Sequence, residues 1–361
     1  MTVYYGPGAN GSGVAELVAY MNGINYPNTF GFATFITKCV GVVLAVVGGL
    51  TVGKEGPLAH IGANVGCAMP YLPFDAFSHL RNDVNKRELI AAGTSAGVSA
   101  AFGAPIGGTL FAYEMSKPNT FWRFATIWKV FISCALAVFS LAFFGFMWEL
   151  PSEIKEGGIV SFDINASGLK FGEVSVISPT INVIPSCIAI GAICGVLGAY
   201  FIIVNNWMGF FRKYYITKPW MKICEAAAFS FVITTVWFWA PYVFAGCQFV
   251  DEVTHEGTDE LLVPYNCPKG RTSSEKDMYN GLASLLFNTE GSAIRAILSG
   301  SDSTGIYVTP LQMFIFICCW YGFTIVTYGV TVPAGLFLPG MIIGCAVGSL
   351  YEMGVEKYID P

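Results

Sequence analysis

Charged side chains are scarce in this chain. Asp, Glu, Lys and Arg make up 12% of its 361 residues, whereas about 25% is usual for a soluble domain. The 24 acidic residues outnumber the 19 basic ones, so the basic footprint of a nucleic-acid-binding protein is missing. The three histidines are scattered, and no metal-ligand spacing is visible. The composition excludes a disordered chain and a nucleic-acid binder, argues against an enzyme, and predicts no cofactor.

Long apolar runs take the place of the missing charge. A membrane-spanning helix needs about 20 apolar residues. Six stretches contain no Asp, Glu, Lys or Arg, and a seventh contains only Lys38; they are 56–74, 89–113, 130–148, 174–211, 226–250, 303–351 and 32–52. The stretches 174–211 and 303–351 are long enough for more than one helix each. These runs predict an all-α polytopic membrane protein.

Glycine and proline interrupt the apolar runs. The chain has 41 glycines, and Gly/Pro clusters lie within 48–57, 103–108 and 333–339. Broken helices are tolerated at membrane depth only where the freed backbone lines a cavity or is buried in protein. The interruptions therefore favour a transporter or channel. Close helix packing in a non-transporting membrane subunit is the alternative.

The distribution of loop charges predicts the topology. The loops 75–88, 116–129 and 212–222 carry Lys and Arg, so we expect them on the cytosolic side. The longer loops 149–173 and 251–302 are rich in Asp and Glu, and we expect them outside the cell or in the lumen of an organelle.

Two features of the acidic loops fit that side of the membrane. Cys247 and Cys267 lie at or within the second loop, where they form either a luminal disulfide or two free thiols. Asn165 begins a glycosylation sequon in the first loop.

The string Gly-Lys-Glu-Gly-Pro over 53–57 puts two ionisable residues between apolar runs. Pro57 suits the first turn of a helix, and a helix that begins here aims its free N–H groups and positive dipole end at Glu55. We interpret Glu55 as a gate, whose ionised carboxylate occupies an anion site and whose protonated form vacates it. The alternative is a Lys54–Glu55 pair that only neutralises itself.

Two more glycine-rich strings, over 11–16 and 333–339, precede apolar runs. Ser12 can cap a helix or offer its hydroxyl to an anion. Gly335 permits a close approach, and the N–H groups of Leu336 and Phe337 would be free at a helix start; a plain kink is the alternative. Three such N-termini could bind a halide through partial charges, without a full cation.

These strings resemble motifs of the CLC family of chloride channels and chloride/proton exchangers. Residues 11–15 are similar to GSGIP with Ala15 in place of proline, 53–57 match GKEGP, 100–108 resemble AAFGAPxGG, and 335–339 resemble GxFxP. The order of the motifs also matches, and the chain looks most like the endosomal and lysosomal branch.

The resemblance implies an antiparallel inverted-repeat bundle of tilted and broken helices, assembled as a homodimer with one pore per subunit. We expect the first repeat over 1–148, a luminal or extracellular loop over 149–181, and the second repeat over 182–361 with its acidic luminal loop 251–302. The implied location is an endosomal, lysosomal or plasma membrane. Chloride, the lipid bilayer and an accessory subunit are the partners to consider.

The resemblance also implies roles for single residues. Glu55 would be the external gating glutamate, and Ser12 would favour chloride at the central site. The implied anion-binding residues are Ser12, Gly13, Lys54, Gly56, Leu336 and Phe337.

One departure from the family bears on mechanism. Exchangers of the family carry an inner proton-transferring glutamate where this chain has Met115. The neighbouring Glu114 could carry the proton instead, but it is one position off, which favours a structural role. We therefore predict a voltage-gated chloride channel with weak or no proton coupling. The alternatives are a chloride/proton antiporter of endosomes or lysosomes and a non-conducting membrane subunit.

The chain also lacks the opening helices, the late pore tyrosine and the cytosolic CBS pair of the family. We expect it to be a piece of a longer protein or a truncated gene product.

Overall fold

A computed structural model describes the structure of residues 1–116, 124–149, 183–244, 246–249, 262–268, 278–298 and 308–359. The α-helices of these residues are α1 Val14–Met21, α2 Phe32–Val47, α3 Glu55–Ala68, α4 Asp83–Phe102, α5 Pro105–Ser116, α6 Phe124–Glu149, α7 Val183–Tyr215, α8 Pro219–Val243, α9 Gly281–Phe287, α10 Glu290–Leu298, α11 Pro310–Thr327 and α12 Phe337–Ile359. Short 3-10 turns cover Pro7–Ala9, Met69–Tyr71 and Asp75–Leu80, and strands β1 Cys247–Phe249 and β2 Met278–Asn280 pair antiparallel.

Local sequence signals set several helix ends. The Asn82 side chain accepts a hydrogen bond from the Val84 N–H at the start of α4, and Gly103 ends that helix with φ +65°. Helix α11 begins with a capping box between Thr309 and Gln312, in which each side chain bonds the other residue's backbone N–H. These ends follow from the residue types alone.

Five described helices are long and apolar enough to cross a membrane: Phe124–Phe144, Ile184–Tyr215, Pro219–Val243, Pro310–Thr327 and Phe337–Val355. Helices α1, α3 and α5 have 8, 14 and 12 residues and are too short to span it. The expected mixture of full and broken helices is therefore confirmed.

One expectation about the spans needs correction. The apolar stretch 174–211 was expected to accommodate more than one helix, but its described part lies within the single 33-residue helix α7. No proline or glycine pair breaks the run after its first residues, so helix propagation continues into the basic segment. The stretch 303–351 does hold parts of two helices, α11 and α12.

The chain forms two compact units. The first comprises Met1–Val47, Gly53–Leu169 and Thr331–Phe337, and the second comprises Gly48–Val52, Lys170–Val330 and Leu338–Pro361. Segment 48–52 thus belongs to the second unit, although the chain on either side of it belongs to the first. Segment 331–337 belongs to the first unit, although the chain on either side of it belongs to the second. The loop expected over 149–181, with Asn165, lies outside the described residues apart from Glu149.

Glycines allow α3 and α4 to pack backbone to backbone in the first unit. A Cβ added at Gly62 would lie 2.1 Å from the Gly93 carbonyl oxygen, and one added at Gly97 would lie 2.3 Å from that of Leu58. Small residues at four-residue spacing are typical of tightly packed membrane helices. This packing holds α3, which carries Glu55, closely against α4.

The second unit carries the disulfide that the sequence left open. Cys247 and Cys267 are bonded, so the two free thiols are excluded for this pair. The Asn280 amide donates to the carbonyl oxygens of Pro241 and Tyr265 and ties this disulfide-bonded segment to α8.

Candidate functional site

Three glycine-rich strings come together in the first unit. Gly53 and Gly335 exchange both backbone hydrogen bonds at 2.8 Å. Gly11 donates to the Val332 carbonyl at 3.0 Å and accepts from the Ala334 N–H at 3.2 Å. Segment 331–337 therefore lies between the strings that precede α1 and α3.

The backbone segments at this junction approach each other so closely that only glycine fits at Gly56 and Gly335. A Cβ added at Gly56 would lie 2.7 Å from the Ser12 Cβ. One added at Gly335 would lie 2.8 Å from the Gly53 carbonyl oxygen and 3.3 Å from the Gly56 nitrogen. The first turns of α1 and α3 and the approach to α12 thus meet around Gly56.

Each of these helices begins with N–H groups that have no acceptor within the helix. Helix α1 starts at Val14, α3 at Glu55 and α12 at Phe337. The dipoles of α1 and α3 add partial positive charge at the same place. The junction is therefore suited to hold an anion through backbone N–H groups.

Glu55 is the first residue of α3, and its neighbour Pro57 lies in the same first turn, as expected. Glu55 is 3% exposed, whereas the adjacent Lys54 is exposed. A carboxylate at this position lies in the positive field of the α3 N-terminus. Of the two ionisable side chains, that of Lys54 is therefore exposed, whereas that of Glu55 is buried beside the junction.

Ser12 and Gly13 form the entry to α1. Gly13 caps the helix with φ +80°, a conformation that favours glycine. The Ser12 Oγ accepts a 3.3 Å hydrogen bond from the Val14 N–H. That bond leaves the hydroxyl hydrogen available to donate to an anion.

Leu336 and Phe337 form the entry to α12. Leu336 is half-buried and Phe337 is 58% exposed. The Phe337 ring packs edge-on against Phe102 at a centroid distance of 5.1 Å. Phe102 is the last residue of α4 and lies in the motif over 100–108, for which the sequence predicted no role. Through Phe102 this motif contacts the first residue of α12.

Sequence reasoning missed a buried cation behind α1. The Lys38 side chain is 0% exposed, and its Nζ lies 2.7 Å from the His60 Nδ1, while His60 Nε2 lies 2.9 Å from the Thr29 carbonyl oxygen. Since Lys38 is a donor only, His60 Nδ1 accepts and Nε2–H donates. A Cβ added at Gly13 would lie 2.8 Å from Nζ. The Lys38 amine thus lies directly behind Gly13.

The available signal for Lys38 was its isolation, since it is the single charged residue of the apolar stretch 32–52. Charged residues inside membrane helices face the protein interior and mark function. The sequence did not show which helix it meets, because His60 lies 22 positions away.

Met115 and Glu114 lie on α5 in different surroundings. Met115 is 7% exposed and belongs to an apolar cluster whose other buried members are Leu17, Tyr20, Met21, Ala63, Ile90 and Ala91. Glu114 is exposed. The position where the resemblance implies a proton carrier is therefore filled by a thioether that cannot take up a proton.

A sequence profile of the voltage-gated chloride channel family matches residues 1–361. The chain is 34% identical over 380 residues to the human H(+)/Cl(-) exchange transporter 7, covering 98% of this chain and 43% of that protein. It is 31% identical over 378 residues to chloride channel protein CLC-a of Arabidopsis thaliana, covering 100% of this chain and 46% of that protein. The chain thus spans less than half the length of these relatives.

Solved structures share its fold. A slow cyanobacterial Cl-/H+ antiporter superposes with a TM-score of 0.66 at 17% identity, over 100% of this chain and 67% of that one. A eukaryotic CLC transporter superposes with a TM-score of 0.63 at 18% identity, over 99% of this chain and 49% of that one. The family match along the whole chain confirms the resemblance and the all-α membrane fold. The chain belongs to the voltage-gated chloride channel family, the CLC family.

Proposed function

We propose that this chain forms the anion-conducting core of a chloride channel. Chloride binds where α1, α3 and α12 begin, with contacts from Ser12 and from the N–H groups of Leu336 and Phe337. The observation that carries the proposal is the junction itself, where a Cβ on Gly56 would lie 2.7 Å from Ser12 and Gly335 pairs with Gly53 at 2.8 Å. The family membership supports it.

Glu55 gates this site in the proposal. Its carboxylate is 3% exposed at the start of α3, so in the ionised state it competes with chloride for the same positive field. Protonation or a swing of the side chain vacates the site. Lys54 and Gly56 flank it, and Gly13 lets Lys38 add its charge from behind.

The test of the gate uses the full-length protein in liposomes. Glu55→Gln mimics the protonated carboxylate, and we expect its chloride flux to lose its dependence on pH. Glu352→Gln, which removes an exposed carboxylate far along α12 instead, serves as the matched control and should keep the pH dependence. A Glu55→Gln protein with the parent's pH profile would refute the gate.

We infer further that proton coupling is weak or absent. Met115 lies in an apolar cluster on α5, and Glu114 is exposed on the same helix. A proton relay needs a titratable group at a defined position, and the thioether of Met115 has none.

A chloride/proton antiporter is the second candidate. It is favoured by the 34% identity to a protein named as an H(+)/Cl(-) exchange transporter. A non-conducting subunit is the third, and a full-length protein that carries no chloride would support it. A homodimeric assembly in an endosomal or lysosomal membrane, with or without an accessory subunit, completes the proposal.

A further inference from the structure

A cluster of polar side chains in the second unit holds the C-terminal end of α11. Arg212 and Glu225 are almost buried, and Asn205 is half-buried. The last carbonyl groups of a helix have no partners inside the helix. Here the Asn205 amide donates to the carbonyl oxygens of Ile325 and Tyr328 at 3.1 and 2.8 Å. Side chains of α7 thus supply what α11 itself lacks.

Arg212, about two turns further along α7, completes the cluster. Its Nη1 donates to the Tyr328 carbonyl at 3.0 Å, its Nη2 to the Val326 carbonyl, and its Nε to the Glu225 carboxylate at 2.6 Å. The Arg212 and Glu225 side chains are only 10% and 9% exposed. The planar guanidinium therefore fixes two carbonyls and one carboxylate at once.

The turn after α11 is shaped around this guanidinium. Gly329 has φ +96°, and a Cβ there would lie 3.0 Å from the Arg212 Nη1. Val330 N–H bonds the Thr327 carbonyl at 3.1 Å. The chain therefore leaves α11 along one path, and the next residue, Thr331, begins the segment 331–337 of the anion site.

The segment that leads to Glu55 is held by the same unit. The Thr51 hydroxyl donates to that of Thr327 at 3.3 Å, and Ser230 on α8 donates to the Gly48 carbonyl. A Cβ added at Gly49 would lie 2.7 Å from the Thr234 Cγ2. Segment 48–52 runs straight into Gly53, which pairs with Gly335.

We propose that Arg212, together with Asn205 and Glu225, is a positioning site that sets the anion selectivity of the junction. Two segments run from the neighbourhood of this cluster to the proposed anion site. Segment 48–52 continues into Gly53, and the turn at Gly329 continues into segment 331–337. Selectivity by N–H groups depends on their spacing, and a site is only as well ordered as the residues that support it. The inference rests on the proposed function, because it assumes that the junction conducts anions.

A charged residue in a membrane helix has an obvious structural alternative, namely that the cluster only stabilises the fold. Loss of stability lowers the number of active molecules and leaves their relative permeability to different anions unchanged. The permeability ratio of nitrate to chloride is therefore the measurement that separates positioning from folding.

The experiment measures that ratio for the full-length protein under bi-ionic conditions. We expect Arg212→Gln to shift it by about threefold or more, which is within the range by which distant residues modulate a site. Lys213→Gln, an exposed cation at the next position of α7, is the matched control and should leave it unchanged. Asn205→Ala should shift the ratio in the same direction, and Asn206→Ala, its exposed neighbour, should not.

Loss of Arg212 also leaves the Glu225 carboxylate buried without its ion pair, which by itself destabilises a protein. The double variant Arg212→Gln/Glu225→Gln removes that burden. We expect its yield to recover while its permeability ratio stays shifted, because the Val326 carbonyl still lacks its Arg212 donor and the Tyr328 carbonyl keeps only that of Asn205. Asn205→Ala, which removes no charge, keeps the test open if neither Arg212 variant folds.

Two outcomes would overturn different claims. If the parent protein conducts chloride and the Arg212 and Asn205 variants keep its permeability ratio, the cluster is structural only and the inference fails. If the parent protein carries no anion at all, the proposed function fails first.

Discussion

Two positions in the first unit illustrate how differently this chain treats sites of charge. Glu55 begins α3 beside Gly56, at a junction of free helix N–H groups with Lys38 behind it. Met115 lies within α5 in a cluster of apolar side chains. The first region can hold and release a charge, and the second cannot accommodate one without cost. The proposed function therefore assigns anion gating to the first region and predicts little proton transfer through the second.

The largest effect is expected from crowding the anion junction. Gly335→Ala places a Cβ 2.8 Å from the Gly53 carbonyl oxygen, which forces the paired segments apart. We expect chloride flux per folded molecule to fall by about a hundredfold, since a shift of about 1 Å at a site costs that order. Liposome efflux of size-exclusion-purified protein measures it.

Gly340→Ala is the control for this change. Gly340 lies in the first turn of α12 with open space around its Cβ position. Alanine there should be tolerated or mildly stabilising, by up to about 1 kcal/mol from helix propensity. Normal flux in Gly335→Ala would show that the close contact is not required for conduction.

A smaller effect is expected from removing the buried cation. Lys38→Met deletes the ammonium behind Gly13 and keeps the apolar stem. We expect chloride affinity to weaken about tenfold, equivalent to about 1.4 kcal/mol, because a nearby positive charge attracts the anion in a low-dielectric site. Isothermal titration of the detergent-solubilised protein measures it.

The smallest effect on chloride flux is expected at Met115. Replacement by Leu conserves the apolar cluster, costs less than about 1.5 kcal/mol of stability, and should leave flux nearly unchanged. Met115→Glu introduces a titratable group at the position where the family resemblance implies a proton carrier, and we expect it to add measurable proton movement. Met115→Gln is the control of similar shape that cannot carry a proton at neutral pH.

If Met115→Glu and Met115→Gln both leave proton movement at the parent's level in folded protein, the contrast between the two regions does not depend on this one side chain. Parallel recordings with a pH-sensitive dye and a chloride electrode decide between these results.

The helix starts were within reach of the sequence because local rules set them. Helix α3 begins at Glu55 and α12 at Phe337, where the Gly-Pro strings predicted free N–H groups. The disulfide was left open, since spacing does not determine whether Cys247 and Cys267 meet. Their bond became visible only in the folded segment.

What the sequence could not show depends on contacts between distant residues. Gly53 pairs with Gly335 across 282 positions, and Arg212 reaches Tyr328 across 116. No local pattern encodes such partners. Similarly, the sequence predicted an anion site made of helix N–H groups alone. The position of Lys38 near that site became visible only from its contact with His60.

The most direct test of the account records chloride and proton movement together in liposomes that contain the full-length parent protein, under an imposed chloride gradient. The account predicts chloride flux that depends on Glu55 and moves few or no protons against their gradient. Uphill proton movement in fixed proportion to chloride would contradict it and establish the antiporter.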